Sequence, residues 1–336
     1  MRRCITLIAL LLLLALTGRA QDKQLMADYQ SRLQALFEEV YNAPADNQRY
    51  HANATALSLF TEAMSTEKSI RWQWDFGRRV SVLTSPDLKF RIATWPVVND
   101  NGEYECFGLL QVLNERTHQY DIYTLVDKSE DIVNRQEETL TPDNWLGAVY
   151  QELVTTSHDG RTYYTLLGWN GVDNLTQRKI IEPISFKGSN AIPQFGQALF
   201  RRERNLRRIV LEYKHDAMVN LRYEEQFVRT VETVRAKPKK VKGKGKSRKR
   251  RQPPAPPVQK IHDEKLRMII YDEVQPQIVG MEGLYQYYVP SGVEMALVFV
   301  DGKWERREGA QGRVDDKKLN KDFSPIEKAA PAYLQR

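Results

Sequence analysis

Along the first part of the chain beyond residue 20, apolar side chains recur at steps of three and four. Leu25, Tyr29, Leu33, Leu36, Phe37 and Val40 would share one face of a helix. Pro44 cannot continue a helix and should end it. Tyr50, Ala54, Leu57, Phe60 and Met64 repeat the spacing after Asp46, which suits a cap, and predict a second helix. After Ile70 the period falls from about 3.6 to 2 and β-branched and aromatic residues become frequent, the pattern of strands. Phe90, Ile92 and Thr94 alternate with Arg91, Ala93 and Trp95, and Tyr120, Ile122 and Thr124 alternate with Asp121, Tyr123 and Leu125. Ile209, Leu211 and Tyr213 share a face, as do Val219, Leu221 and Tyr223, and Leu266, Met268 and Ile270.

Between such runs stand residues that tolerate positive φ: Asn101-Gly102, Asp159-Gly160 and Asp301-Gly302, with Pro86-Asp87 suited to a type I turn. These signals predict an α+β fold that is predominantly antiparallel β, a short N-terminal helical segment followed by a hairpin-rich body. The pattern lacks alternating strands and long helices, which argues against a parallel nucleotide-binding sheet. Four regions result: 1–20, a helical segment at 21–68, a β body at 69–308, and a polar tail at 309–336.

Residues 1–20 read as a cleavable export signal. Arg2 and Arg3 precede an apolar run from Ile5 to Leu16, and Gly18-Arg19-Ala20 supplies small residues for cleavage between Ala20 and Gln21. That run is too short for a membrane anchor, which needs about 20 residues. The expected product is a soluble exported protein, periplasmic or secreted, with no integral membrane span. Removing Cys4 with the signal leaves Cys106 alone, so no internal disulfide is expected and the thiol reads as a buried, inert one.

Charge is unevenly distributed. Arg235, Lys237, Lys239, Lys240, Lys242, Lys244, Lys246, Arg248, Lys249, Arg250 and Arg251 form an acid-free run that runs into Pro253-Pro254-Ala255-Pro256-Pro257. Taking these eleven cations and the three arginines of residues 1–20 from the net +7 leaves −7 for the rest. The segment shows no apolar periodicity and predicts a disordered loop over 231–262 that interrupts the β body. Such a tether would attract polyanions: lipopolysaccharide phosphate, anionic lipid or nucleic acid. Phe227 and Tyr271 flank it, but no aromatic lies inside it to stack on bases.

Thr84-Ser85-Pro86-Asp87-Leu88-Lys89-Phe90-Arg91-Ile92, Leu166-Leu167-Gly168-Trp169, Leu211-Glu212-Tyr213 with Leu221-Arg222-Tyr223, and Gly302-Lys303-Trp304 resemble, in this order, a group of uncharacterised exported proteins of Bacteroidota-type bacteria. The resemblance implies an exported β-rich body with no known activity, and marks the basic segment as an insertion between the strands near Tyr223 and Lys265. Ser85-Pro86-Asp87-Leu88-Lys89 is also similar to a turn of β-propeller blades, which keeps a propeller-like body as the alternative.

Familiar catalytic signatures do not occur: no phosphate-binding loop, nucleophile elbow, His-Glu-x-x-His or Cys-x-x-Cys. His51, His118, His158, His215 and His262 are scattered, and Asp272-Glu273 and Glu224-Glu225 should point to opposite strand faces. The sequence therefore calls for neither cofactor nor metal. Trp72, Trp74 and Phe76 alternate as if on one strand, and Tyr285, Tyr287 and Tyr288 cluster, so aromatic platforms for glycans compete with core packing. Sequons at Asn53 and Asn174 matter only in a eukaryotic secretory route. The expected function is non-catalytic docking on an envelope protein or cell-surface polymer, with the basic loop adding contact to anionic polymer or membrane. A hydrolase or carbohydrate-active enzyme with a dispersed site, and a glycan-binding module, are the alternatives.

Overall fold

The computed structural model describes the backbone of residues 2–67, 69–234 and 258–308, and the side chains of 21–67, 69–226 and 265–307. Among the described residues, two helices precede thirteen antiparallel strands. α1 (Arg2–Asn42) stops two residues short of Pro44, and α2 spans Asp46–Met64. Asp46 is the first residue of α2 and does not cap it; the cap position is Ala45. The Asp46 carboxylate instead accepts the Asp100 backbone N–H and pairs with Arg49, tying α2 to the first sheet.

The helical faces are rotated slightly from those the spacing predicts. On α1 the buried residues are Met26, Tyr29, Leu33, Phe37 and Val40, while Leu25 is exposed. On α2, Ala52, Ala56 and Ala63 turn inward with Phe60 and Met64, and Ala54 is exposed. Alanine at the contact lets the helix approach the sheet closely, which a pattern search weighted toward large residues does not register.

The strands form three open sheets. The first is a meander of β1 (Ser81–Thr84), β2 (Phe90–Val98), β3 (Tyr104–Asn114) and β4 (Gln119–Val126). The second runs β5 (Val149–His158), β6 (Arg161–Asn170), β7 (Thr176–Lys187) and β8 (Ile192–Phe195), with β9 (Ile209–Lys214) pairing the first half of β7. The third is β10 (Leu221–Val234), β11 (Val258–Pro276), β12 (Tyr288–Val300) and β13 (Lys303–Glu308). The Asp-Gly pairs make two-residue hairpins, with φ of 48° and 73° at Asp159-Gly160 and 51° and 75° at Asp301-Gly302. Positive φ at both central residues gives the twist that matches the strands.

Alternation then stacks the layers. Ala93, Trp95, Val97 and Leu109 face the helices, whereas Phe90, Ile92, Leu110 and Val112 face the second sheet. The second sheet uses Tyr164, Leu166 and Ile184 on that side, and Val154, Leu167, Ile181 and Leu211 against the third. The order is helices, first sheet, second sheet, third sheet. Each sheet contains the four-stranded meander of a propeller blade, but there are three among the described residues, and a propeller takes about four to eight.

The segment Trp72–Phe76 is not a strand. A single 3-10 turn, Ser69–Arg71, leads into irregular chain up to β1. The cause is Arg91, whose buried guanidinium donates to the carbonyls of Ser69, Ile70 and Trp72 and to Thr84 Oγ1. Carbonyls turned toward one arginine cannot serve a β ladder. With no carboxylate beside it, burial pushes the Arg91 guanidinium down to about 10.

Between the first two sheets a fully buried Arg208 donates from Nε to Glu182, and its other nitrogens reach the carbonyls of Arg135 and Phe195. Tyr150 Oη donates to the same carboxylate and accepts from Trp145 Nε1 at 2.9 Å. Substituting Arg208 by Met would leave Glu182 charged and unpaired in the core. Chemical denaturation should show a loss of about 3–5 kcal/mol, with much of it recovered in the double variant that also replaces Glu182 by Leu.

A second link between these sheets joins Tyr164 on β6 to Asp87 in the β1–β2 turn. Burial pushes the Asp87 carboxyl up, but hydrogen bonds from Tyr164, Ser85 and the Lys89 N–H outweigh it and hold the group below its ordinary value. The folded value thus lies below the unfolded one. The stability it contributes is present above the unfolded value and lost as pH falls through the folded one. Denaturation at pH 7 and pH 3 should show a smaller acid-induced loss in Tyr164→Phe than in the parent protein.

Candidate docking surface

The β10–β11 ladder organises both surface features that bear on function. It runs through fourteen register pairs from Leu221↔Tyr271 to Val234↔Val258. β12 joins β11 only from Met268 onward, so among the described residues the ten pairs from Glu225↔Arg267 to Val234↔Val258 form a two-stranded ribbon with no third strand paired to it. At about 3.4 Å per residue this ribbon is about 30 Å long. The loop expected over 231–262 is therefore shorter than its sequence reading, because 231–234 and 258–262 continue the ladder. In register, Val231 stands opposite Ile261, Glu232 opposite Lys260 and Arg229 opposite Asp263. The cations from Arg235 to Arg251 lie outside the described residues. Tyr271 cannot assist them by stacking, since it is buried between the second and third sheets.

At the other end of this ladder β11 leads into an apolar tip. Residues 277–287 connect β11 to β12 and close with a 3-10 turn, Tyr285–Tyr287, lying alongside β9. Gln277 N–H donates to the Tyr287 carbonyl at 2.8 Å, which pinches the base of the loop. Gly280 and Gly283 take φ of 90° and 84°, so the chain reverses twice and turns its apolar side chains outward. Val279 is 95% exposed, and Ile278, Leu284, Tyr285 and Tyr287 are exposed as well. The turn after β9 adds Met218, 71% exposed. That turn is fastened on both sides: Gln177 Nε2 donates to the His215 and Ala217 carbonyls, His215 N–H donates to the carbonyl of exposed Leu175, and Asn220 donates to Asp272. Large apolar groups held out in water by a pinned backbone have the composition of a docking surface.

The aromatic platforms fare differently. Trp74 and Phe76 stack at 5.8 Å, and Phe76 packs edge-on to Phe37 and Phe60, so this group belongs to the core beneath the helices. Tyr285 and Tyr288 approach to 5.0 Å but are tilted by 55°, not coplanar as a sugar-stacking row would be.

Among the described residues no group of three or more His, Cys, Asp or Glu side chains could hold a metal ion. Glu224 is taken by Arg222 and Gln226, and Glu225 by Lys265. Two carboxyls lie above their ordinary value, both because of burial: Glu152, opposed by the Tyr223 backbone and Arg267, and Asp272, opposed by Asn220. Burial, with Asp127 nearby, pushes the Cys106 thiol well up, which suits an inert thiol. Asn53 is buried in α2, where its Oδ1 accepts Trp95 Nε1 at 2.7 Å, so in the folded chain that sequon is inaccessible.

Of the tip residues, only the tyrosines stood out in the sequence. Ile278, Val279 and Leu284 carried no signal of their own there, although Gly280 and Gly283 placed among them mark the reversals. Because the tip residues pack against little, replacing Ile278 and Val279 together by Asp should change unfolding free energy by no more than about 0.5 kcal/mol per site in urea denaturation. No family model matches this chain, no curated protein matches it, and no solved structure matches its fold.

Proposed function

We propose that this chain is an exported, non-catalytic docking protein that binds a protein partner of the cell envelope through the 277–287 tip. The observation that carries the reading is the outward display of Ile278, Val279, Leu284, Tyr285 and Tyr287 on a loop pinned at its base. Tyrosines are enriched among the residues that carry most of the energy of protein interfaces, and apolar neighbours exclude water around them. The local charge favours protein over an anionic lipid surface, because Glu282 lies in the loop and Lys214, which ends neighbouring β9, is paired with Asp216.

The basic segment is the second element of the proposal. At the far end of a ribbon about 30 Å long, its cations would contact polyanionic material such as lipopolysaccharide phosphate, anionic lipid or nucleic acid while the tip holds its partner. Export rests on the N-terminal pattern. Cleavage between Ala20 and Gln21 would retain the buried α1 residues from Met26 to Val40.

Crosslinking and pull-down from the native envelope with the chain beginning at Gln21 tests this directly. The parent protein should recover a stoichiometric partner, the Ile278→Asp, Val279→Asp variant should lose it, and a variant lacking Arg235 to Arg251 should keep it while losing affinity for heparin. Recovery by the tip variant would remove the tip from the interface, and no recovery by any form would end the docking reading.

A further inference from the structure

The hairpin that ends in the tip runs past the other strands of its sheet. β10 pairs with β11 as far as Leu221↔Tyr271, while β11 and β12 continue together through Val274↔Pro290, Gln275↔Val289 and Pro276↔Tyr288, so among the described residues this last stretch is a two-stranded stem. From Asp272 to Glu294 the hairpin holds four carboxylates and no lysine or arginine. Asp272 accepts from Asn220, and Glu294 is paired with Arg222 at 2.8 Å. Glu273 and Glu282 are exposed, and among the described residues they accept only from neutral donors, Ser291 Oγ and the Gly280 N–H, each at 3.3 Å. Val293, 44% exposed, donates its N–H to the same Ser291 hydroxyl, which extends the apolar surface down the stem to Glu273. The β9–β10 turn, joined to the β6–β7 turn through the His215 N–H, adds Asp216 and Asp173 against one lysine, Lys214, which Asp216 already holds at 2.9 Å.

We propose that the part of the partner seated on this hairpin is a cationic amphipathic segment, which lays apolar side chains on Ile278, Val279, Leu284 and Tyr287 and sets lysine or arginine against Glu273 and Glu282. This rests on the tip being a docking surface and adds the chemistry of what docks there. Charge complementarity carries it. Opposite charges across an interface speed encounter and fix register, whereas like charges facing each other exclude a partner. An acidic segment would oppose both carboxylates, and a purely apolar one would leave them beside a dry contact with nothing to pair them. Five extended residues separate Val274 from Val279, about 17 Å, so a short stretch of partner chain reaches both the stem and the tip. The basic run of this chain does not have the composition described, since Val241 is its one large apolar residue among eleven cations.

Two short peptides carrying a photo-crosslinker, one of alternating leucine and lysine and one of alternating leucine and glutamate, test this on the chain from Gln21 to Arg336. Crosslinks are mapped and those to 272–294 counted, which separates the hairpin from the basic run. At low salt the leucine–lysine peptide should label the hairpin at about tenfold lower concentration than the leucine–glutamate peptide. Glu273→Gln with Glu282→Gln should abolish that preference, and added salt should narrow it. Ile278→Ser with Val279→Ser should reduce labelling by the leucine–lysine peptide at every salt concentration. Equal labelling by the two peptides, labelling by neither, or a preference unchanged in the glutamine variant would overturn the cationic assignment and leave the tip's docking role to the pull-down. Full labelling of the serine variant would instead remove the tip from the contact, and both readings would fall.

Discussion

Each sheet of this protein is apolar on both faces, and that constraint governs everything else. A sheet with one wet face can end a domain, but one that alternates large apolar residues on both sides must be covered twice. The first sheet meets the need with Trp95 and Val97 under the helices and Phe90 and Ile92 against the second sheet. The second does it with Leu166 and Leu167, adjacent in sequence and on opposite sides. The third continues the pattern with Ile269 on the inner side and Met268 on the outer. Layer order and helix position both follow from it.

Thick stacks bury backbone and polar groups, and this one satisfies them with arginine and amide side chains. Arg91 gathers the carbonyls of the helix-to-sheet connection, Gln111 donates to the Met64 carbonyl and Ser69 Oγ, and Asn53 receives the Trp95 indole. Arg208 and Glu182 do the same between the first two sheets, where a lone charge would be far more costly than the pair. These contacts decide which faces meet, because apolar packing by itself is non-directional.

The two elements of the proposed function lie toward opposite ends of one ladder. The pairing of β10 with β11 holds a pinned apolar loop near the body and carries the chain that bears the cations away from it along the ribbon. The tip needs the rigidity of sheet and turn to keep Val279 and Ile278 in water, whereas a charged tether acts at long range and needs little structure.

The sequence by itself determined what depends on near neighbours: the two helices, the alternation of the strands, and hairpins at Asp159-Gly160 and Asp301-Gly302, because period and turn chemistry are local. It also identified the basic run, since charge needs no fold to be counted. Tertiary structure decided the rest. It drew Trp72, Trp74 and Phe76 out of strand geometry into the helical core, because Arg91 lies distant in sequence and near in space. It rotated α2 onto its alanines, because helix–sheet distance is a property of the pair. It buried Tyr271 and exposed Val279, though both are apolar residues in or beside the same hairpin. Which face of a strand is covered depends on what lies opposite, and one strand's pattern does not contain that information.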